Sequence, residues 1–219
     1  TRHGPVLRYP TGTGDYVSCG NAAVLNVAYP SFFVFGRVSS LAVASIFLRR
    51  NASASININY QVWVNPGLGG IPFNVAGDVF VDVVSSADVL ARSHANATLV
   101  AVGDWVALGG TYDGTTCRVY VNGVEYTVVV STASGPCRQT TGTSLHLGSN
   151  VDADNEMRGD IGVAYLWGRV LSGTEMMRLA RDPFGPLRPR RRVGAMVPVV
   201  TAGWGPLLSG GRNRLVLAT

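Results

Sequence analysis

The chain contains no lysine: all 18 of its basic residues are arginine. Glutamate is almost as scarce, with Glu125, Glu156 and Glu175 only, and there are three histidines and three cysteines in 219 residues. Each shortage excludes something. The absence of lysine reads as GC-rich codon usage rather than as a recognition device. No uncharged apolar run reaches the roughly 18 residues that a membrane-spanning helix needs, so the chain is expected to stay out of the membrane. The opening Thr1-Arg2-His3-Gly4-Pro5 lacks the apolar core of a secretion signal, and Thr1 is the kind of small residue left by removal of an initiator Met. Cys19, Cys117 and Cys137 are too few and too scattered for a zinc site or a disulfide scaffold. Cys117 and Cys137 can be paired across a hairpin, but the odd third thiol points to assembly under reducing conditions.

The scarcity of glutamate also argues against an enzyme. Glycoside hydrolysis needs two carboxylates flanking one bond. Here Glu175 is claimed by a helix cap, Glu125 follows a hairpin turn, and no acidic pair shares a strand face at i, i+2 spacing. His3, His94 and His146 have no Ser or Cys arrangement around them that would build a nucleophilic triad. No catalytic residue is therefore expected.

What is abundant is glycine (27 residues), together with Val, Thr and Tyr, in a chain long enough for one large sandwich. The clearest pattern lies between Trp105 and Gly123. Trp105, Ala107 and Gly109 alternate with Val106, Leu108 and Gly110; Asp113-Gly114 is a turn pair; Cys117, Val119 and Val121 alternate with Arg118, Tyr120 and Asn122. Asn122-Gly123 is the strongest short hairpin signal and leads into Val124-Glu125-Tyr126-Thr127-Val128. Three antiparallel strands are expected in succession.

Elsewhere, strands are expected at 16–19, 22–28, 31–40 and 41–48, followed by a polar turn over 49–55. Residues 56–64 set Ile56, Ile58, Tyr60 and Val62 against Asn57, Asn59, Gln61 and Trp63. Short strands follow at 71–75 and 79–84, then a polar loop over 85–97. After a Ser/Thr/Gly-rich loop, strands are expected at 144–149 and 158–169, the second with Ile161, Val163, Tyr165 and Trp167 on one face. Ser172-Gly173-Thr174-Glu175 is a capping box with Leu171 and Met176 placed as a hydrophobic staple, so a helix of about two turns should run to Arg181 and stop at Asp182-Pro183. The expected architecture is all-β: a two-sheet antiparallel jelly-roll sandwich over 1–182, one short C-terminal helix, and an extended tail over 183–219.

Charge is divided unevenly. No acid follows Asp182, whereas six arginines do, so the formal +5 is a tail of +6 on a body of −1. The tail combines Phe184, Arg188, Arg190, Arg191, Arg192 and Trp204 with repeated Pro and apolar patches. Arg forms bidentate pairs with carboxylates, and the tail has no interleaved aromatics for base stacking, so docking on an acidic protein surface is expected ahead of plain solvation, and nucleic-acid binding comes last. The loop Asn150-Val151-Asp152-Ala153-Asp154-Asn155-Glu156 concentrates hard oxygen donors, and Asp152, Asp154 and Glu156 form a candidate Ca²⁺ site, set against the plain reading of a solvated acidic loop. Asn51-Ala52-Ser53 and Asn96-Ala97-Thr98 match the N-glycosylation pattern.

The succession Gly103-Asp104-Trp105-Val106, Gly110-Thr111-Tyr112-Asp113-Gly114, Val119-Tyr120-Val121-Asn122-Gly123, Leu145-His146-Leu147-Gly148, Arg158-Gly159-Asp160-Ile161 and Leu171-Ser172-Gly173-Thr174-Glu175 resembles the concanavalin A-like, laminin G-like (LamG) family. That resemblance spans roughly residues 12–181 and implies a jelly roll that binds glycans or proteins. The run Arg181-Asp182-Pro183-Phe184 with Pro186-Leu187-Arg188-Pro189-Arg190 resembles endings of LamG-like proteins in phage and prophage genomes. It implies a non-catalytic virion structural or decoration protein, on a capsid surface, head fibre or tail, that is homo-oligomeric and contacts partners such as the major capsid protein. The alternative is a carbohydrate-binding adhesion module of a cellular surface or secreted protein. Trp63, Tyr60, Tyr112, Tyr120, Trp105 and Trp167 are the aromatics available for sugar, and strand periodicity assigns most of them to the core.

Overall fold

A computed structural model describes residues 7–9, 16–51, 58–67, 75–140, 142–149 and 157–188. In chain order the strands are β1 (Leu7–Tyr9), β2 (Val17–Ser18), β3 (Ser31–Val38), β4 (Ser45–Asn51), β5 (Ile58–Val64), β6 (Val79–Val84), β7 (Leu90–His94), β8 (Val106–Tyr112), β9 (Cys117–Val121), β10 (Val124–Glu125), β11 (Val128–Ser131), β12 (Ser144–Leu147) and β13 (Gly159–Trp167), followed by helix α1 (Gly173–Arg181). They form two antiparallel sheets, one in the order β1-β13-β3-β8-β9-β10 and the other β11-β7-β6-β5-β4-β12-β2. The two-sheet sandwich expected from the sequence is what forms.

Alternation explains the core. Tyr60, Val62 and Val64 of β5, Val79, Val81 and Val83 of β6, Val106 and Leu108 of β8 and Cys117, Val119 and Val121 of β9 meet between the sheets. The opposite set of the six-stranded sheet, Phe33, Ala107, Tyr120 and Val163, is covered by Leu171, Met176 and Leu179 from the helical segment. The helix starts as its capping box dictates: the Ser172 hydroxyl accepts from Glu175 N, and the Glu175 carboxylate accepts from Ser172 N at 2.9 Å. Arg169, then the Ser172 bonds, hold the Glu175 carboxyl down to about 2.

Several boundaries differ from the sequence reading, each for a physical reason. Residues 22–28 form a 3₁₀ turn at Ala23–Leu25 instead of a strand, and β4 begins only at Ser45. Where a polar turn was expected over 49–55, β4 continues through Arg49 and Arg50 to Asn51, and residues 52–55 lie outside the described ones. Arg50 is almost wholly buried there, donating to Thr143 Oγ1 at 3.0 Å and Asn26 Oδ1 at 2.6 Å. The loop expected over 85–97 contains β7, whose inward residues Ala91 and Ser93 are too small or polar to read as a strand core. The third hairpin strand is only Val124–Glu125; the chain then crosses to the other sheet as β11. In β13 a register shift between Ile161 and Val163 turns the chain over, so Ile161 enters the inter-sheet core while Val163, Tyr165 and Trp167 lie on the helix side. The expected single face Ile161-Val163-Tyr165-Trp167 is thus split by the bulge.

Cys117 and Cys137 are buried free thiols, not a disulfide, and donate weakly to Ala91 O and Asn59 O. Burial pushes the Cys137 thiol up to about 12. No described helix is long and apolar enough to cross a membrane. The compact unit of the fold runs through Leu187.

Candidate functional site

Two regions gather polar and aromatic side chains outside the inter-sheet core. The first is the outer face of the seven-stranded sheet. Its register lines up His146, Arg49, Gln61, Asp82 and Arg92 as one row across β12, β4, β5, β6 and β7. Beside it runs a second row, Ile46, Trp63, Phe80 and His94. Trp63 stacks on Phe80 at 4.4 Å, and Phe80 stacks on His94 at 5.0 Å.

Asp82 ties the rows together. It accepts from Gln61 Nε2 (2.6 Å), Trp63 Nε1 (3.0 Å), Arg92 Nε (2.6 Å) and Arg92 Nη2 (2.9 Å). Burial opposes the charge on Arg92, but the Asp82 carboxylate outweighs it and holds the guanidinium above its ordinary pKa. At the same end His94 Nδ1 lies 2.6 Å from Asp78 Oδ2, and Asp78 Oδ1 accepts from Ala95 N. Burial, then Arg49, lowers the His146 pKa. Trp63, Phe80, Asp82, His94 and His146 are all buried, and only Arg92 among the Asp82 partners is partly exposed. A carboxylate with four donors, enclosed with its rings, is a preorganised structural layer.

The second region is open. A pocket of about 280 Å³ at one end of the sandwich is lined by Thr98, Leu99, Ala101, Asp104, Trp105, Val106 and Asn122. Backbone chemistry sets its shape. Leu99 and Val100 both donate to Gly77 O at 3.1 Å, and a Cβ on Gly77 would stand 2.4 Å from Val100 O, so only glycine permits this approach of the two loops. Gly103 N donates to Val38 O at 2.7 Å and closes the turn that presents Asp104. Opposite, Asn122 and Gly123 both have positive φ, as a two-residue hairpin turn requires. The Asn122 side chain accepts from Ala107 N at 3.0 Å, which fixes the amide at the pocket wall.

Trp105 is the half-buried aromatic of this rim. Phe35 stacks on it at 4.9 Å, and the Arg37 guanidinium lies 5.5 Å from its ring centroid. Arg37 in turn donates to Asp160 Oδ2 at 2.6 Å, while Arg8 donates to Asp160 Oδ1 at 3.1 Å. Two guanidinium groups therefore share one buried carboxylate, leaving one positive charge in excess. This cluster borders a second opening of about 260 Å³ lined by Arg8, Tyr9, Arg37, Ser39, Gly159 and Asp160. Arg37 connects the two openings. One opening offers an indole, the Asp104 carboxylate and an amide, and the other a surplus cation: groups that can hold a polar ring compound, with an anionic substituent favoured only at the Arg8–Arg37 side.

The residues singled out from the sequence fall elsewhere. Asp152, Asp154 and Glu156 lie outside the described residues, as do Arg190, Arg191, Arg192 and Trp204. Among the described residues no three His, Cys, Asp or Glu side chains converge as a metal site needs. Phe184 sits on the body: its ring meets Phe35 edge-on at 6.1 Å, and the preceding Pro183 O accepts from Tyr165 Oη at 2.9 Å. Arg188 is exposed just beyond it. In the sequence Asp104 and Asn122 show only strand and turn signals, whereas Trp105 stands among the aromatics available for sugar, with strand periodicity pointing most of that set to the core. Nothing in local spacing says that the two ends of one hairpin meet a loop between β7 and β8.

Comparison with known proteins gives a family and a set of folds. A family model described as the concanavalin A-like lectin/glucanases superfamily matches residues 11–177. The chain is similar to domain 4 of AbnA, a GH43 extracellular arabinanase from Geobacillus stearothermophilus, solved with arabinotriose: TM-score 0.57, 18% identity, over 75% of this chain and 72% of that one. It is also similar to the CBM40 of the Ruminococcus gnavus IT-sialidase bound to α2,3 sialyllactose, with TM-score 0.59 and 12% identity over 80% and 96% of the two chains. A heptameric SAP-like pentraxin from Limulus polyphemus gives TM-score 0.56 and 10% identity over 80% and 79%. No curated protein matches the chain.

Proposed function

Since the chain belongs to the concanavalin A-like lectin/glucanases superfamily, we propose that it is a non-catalytic glycan-binding module. Its ligand enters the rim pocket beside Trp105. The observation that carries this reading is the open, polar pocket in which Trp105, Asp104 and Asn122 stand together. Sugar rings present C–H faces to an aromatic and hydroxyls to carboxylates and amides, and this pocket supplies both kinds of partner. Similar folds solved with arabinotriose and sialyllactose support a glycan as the ligand class. The surplus charge at Arg8 and Arg37 favours an acidic sugar at the margin. A Ca²⁺ ion held by Asp152, Asp154 and Glu156 remains part of the proposal, as oxygen donors suited to that ion.

Titration calorimetry with sialyllactose, lactose and arabinotriose tests the site. Sialyllactose should bind more tightly than lactose, and Trp105→Ala should weaken binding about tenfold or more, the equivalent of ~1.4 kcal/mol. Binding that survives Trp105→Ala but is lost in Trp63→Phe would move the site to the outer face of the seven-stranded sheet. No heat with any of these sugars, nor on a wider glycan panel, would sink the glycan reading.

We place this module on a phage particle as a decoration protein, with the arginine-rich segment after Asp182 docking on an acidic partner. The support is the charge division, +6 in the tail against −1 in the body, and the tail's resemblance to phage LamG-like endings. Full-length protein should co-sediment with particles, and deletion of residues 189–219 should abolish this. The rival is an extracellular module, a setting shared with the arabinanase domain. Co-sedimentation that persists without the tail would favour that rival's independent glycan contact over the docking role.

A further inference from the structure

We propose that Arg50 holds a buried monovalent anion, chloride in ordinary buffers, at the end of the sandwich away from the rim pocket. Arg50 is level with Tyr60 on β5 and, one strand further, with Val83 on β6. Gly77 of the rim lies beyond Val64 and Val79, at the other end of those strands. The register partners of Arg50, Tyr60 and Leu145, belong to the inter-sheet core, so its side chain enters that layer too. Arg50 is 1% exposed.

What sets Arg50 apart is the lack of a counter-charge. Arg37, Arg92 and Arg138 each hold a carboxylate, on Asp160, Asp82 and Asp88. Arg50 is buried more deeply than any of them and meets neutral oxygens: Nε donates to the Thr143 hydroxyl and Nη2 to the Asn26 amide. Among the described residues no acidic side chain pairs with it, and Nη1 is buried without an acceptor. Burial pulls the guanidinium below its ordinary pKa, against smaller effects of Tyr60 and Cys137. A buried cation without a partner is costly, and a small anion at Nη1 supplies the partner.

A second donor stands in the same network. The register shift between Arg50 and Asn51 leaves Asn59 as an extra residue beside Tyr60 on β5. Asn59 is also 1% exposed, and its Nδ2 lacks an acceptor. Hydrogen bonds tie it to Arg50: Thr143 Oγ1 accepts from Arg50 and donates to Thr140 O at 2.7 Å, and Thr140 Oγ1 donates to Asn59 Oδ1 at 3.5 Å. The nearby carbonyls are engaged, Leu25 O by the Tyr60 hydroxyl and Asn59 O by the Cys137 thiol. Donors left over beside a positive charge suit an anion better than a water, which must donate as well as accept. Cys137 also lines an opening of about 410 Å³ with Ala28, Pro136 and Arg138, which gives a small ion its way in. The inference does not rest on the glycan reading.

Thermal unfolding at constant ionic strength, with chloride exchanged for gluconate, tests the site. Raising chloride about 100-fold should lift the midpoint by about 5 °C, because an ion bound by the folded chain alone stabilises it by mass action. Arg50→Met should be indifferent to the exchange, while Arg178→Gln, on the exposed side of the helix, should keep the full response. In wild-type crystals grown in bromide, anomalous scattering should place an ion within hydrogen-bond distance of Arg50 Nη1, a readout that stands even if Arg50→Met does not fold. A wild-type midpoint that is equal in chloride and gluconate overturns the proposal. So does a chloride response that folded Arg50→Met retains, or a bromide map with no peak at Nη1.

Discussion

Asp82→Ala is expected to cost about 3 kcal/mol of folding stability, the lower end of the 3–5 kcal/mol that breaking a buried ion pair costs. The carboxylate is fully buried and accepts from three side chains through four donor atoms. Removing it strands the Gln61 amide, the Trp63 indole N–H and the Arg92 guanidinium. The figure stays at the lower end because the Arg92 side chain is 25% exposed and can take up water. Asp82→Asn should cost less, since one oxygen still accepts while the charge is gone. In urea, the midpoint should fall with an unchanged slope. A loss under about 1 kcal/mol for Asp82→Ala would mean that the outer row is decoration rather than a structural layer.

Gly110→Ala and its neighbour Gly109→Ala should behave in opposite ways. A Cβ on Gly110 would stand 2.3 Å from Phe32 Cε2 and 2.9 Å from Val81 Cγ2. Phe32 is wholly buried and stacked on Tyr60, and Val81 belongs to the facing sheet, so neither can retreat. Overpacking of this kind costs about 1–3 kcal/mol and occasionally more. Gly110→Ala belongs at about 3. A Cβ on Gly109 meets the Met176 sulfur at 3.0 Å, the flexible end of an unbranched side chain. That substitution should cost under about 1 kcal/mol, and the lower entropy of the unfolded alanine chain offsets part of it. Thermal unfolding of the two variants side by side reads the difference. Equal losses would contradict the assignment of Gly110 to the inter-sheet core and Gly109 to the helix side.

These two glycines show how much was legible. Period-two alternation from Trp105 to Asn122 assigned Val106 and Leu108 to one face and Ala107 to the other, and packing follows that division. The β5 alternation likewise put Gln61 and Trp63 on one face. Where alternation breaks, so did the reading: the bulge beside Ile161 inserts a residue and reverses the faces, and a bulge is a local kink with no periodic signal. β7 escaped notice because Arg92 and His94 look like loop residues until Asp82 and Asp78 are placed beside them.

By itself, then, the sequence determined the all-β class, the hairpins and the capped helix. These depend on neighbours within a few residues: turn dihedrals at Asn122-Gly123, the Ser172–Glu175 exchange of hydrogen bonds, and alternate burial along a pleated strand. Only the tertiary structure decided what lies beside what. Asp82 meets donors 10, 19 and 21 residues away, and the rim pocket joins Thr98, Trp105 and Asn122. Such juxtapositions are products of sheet order and register. Many pairings would satisfy the same local patterns, and the packing of Phe32, Val81 and their neighbours between the sheets selects one.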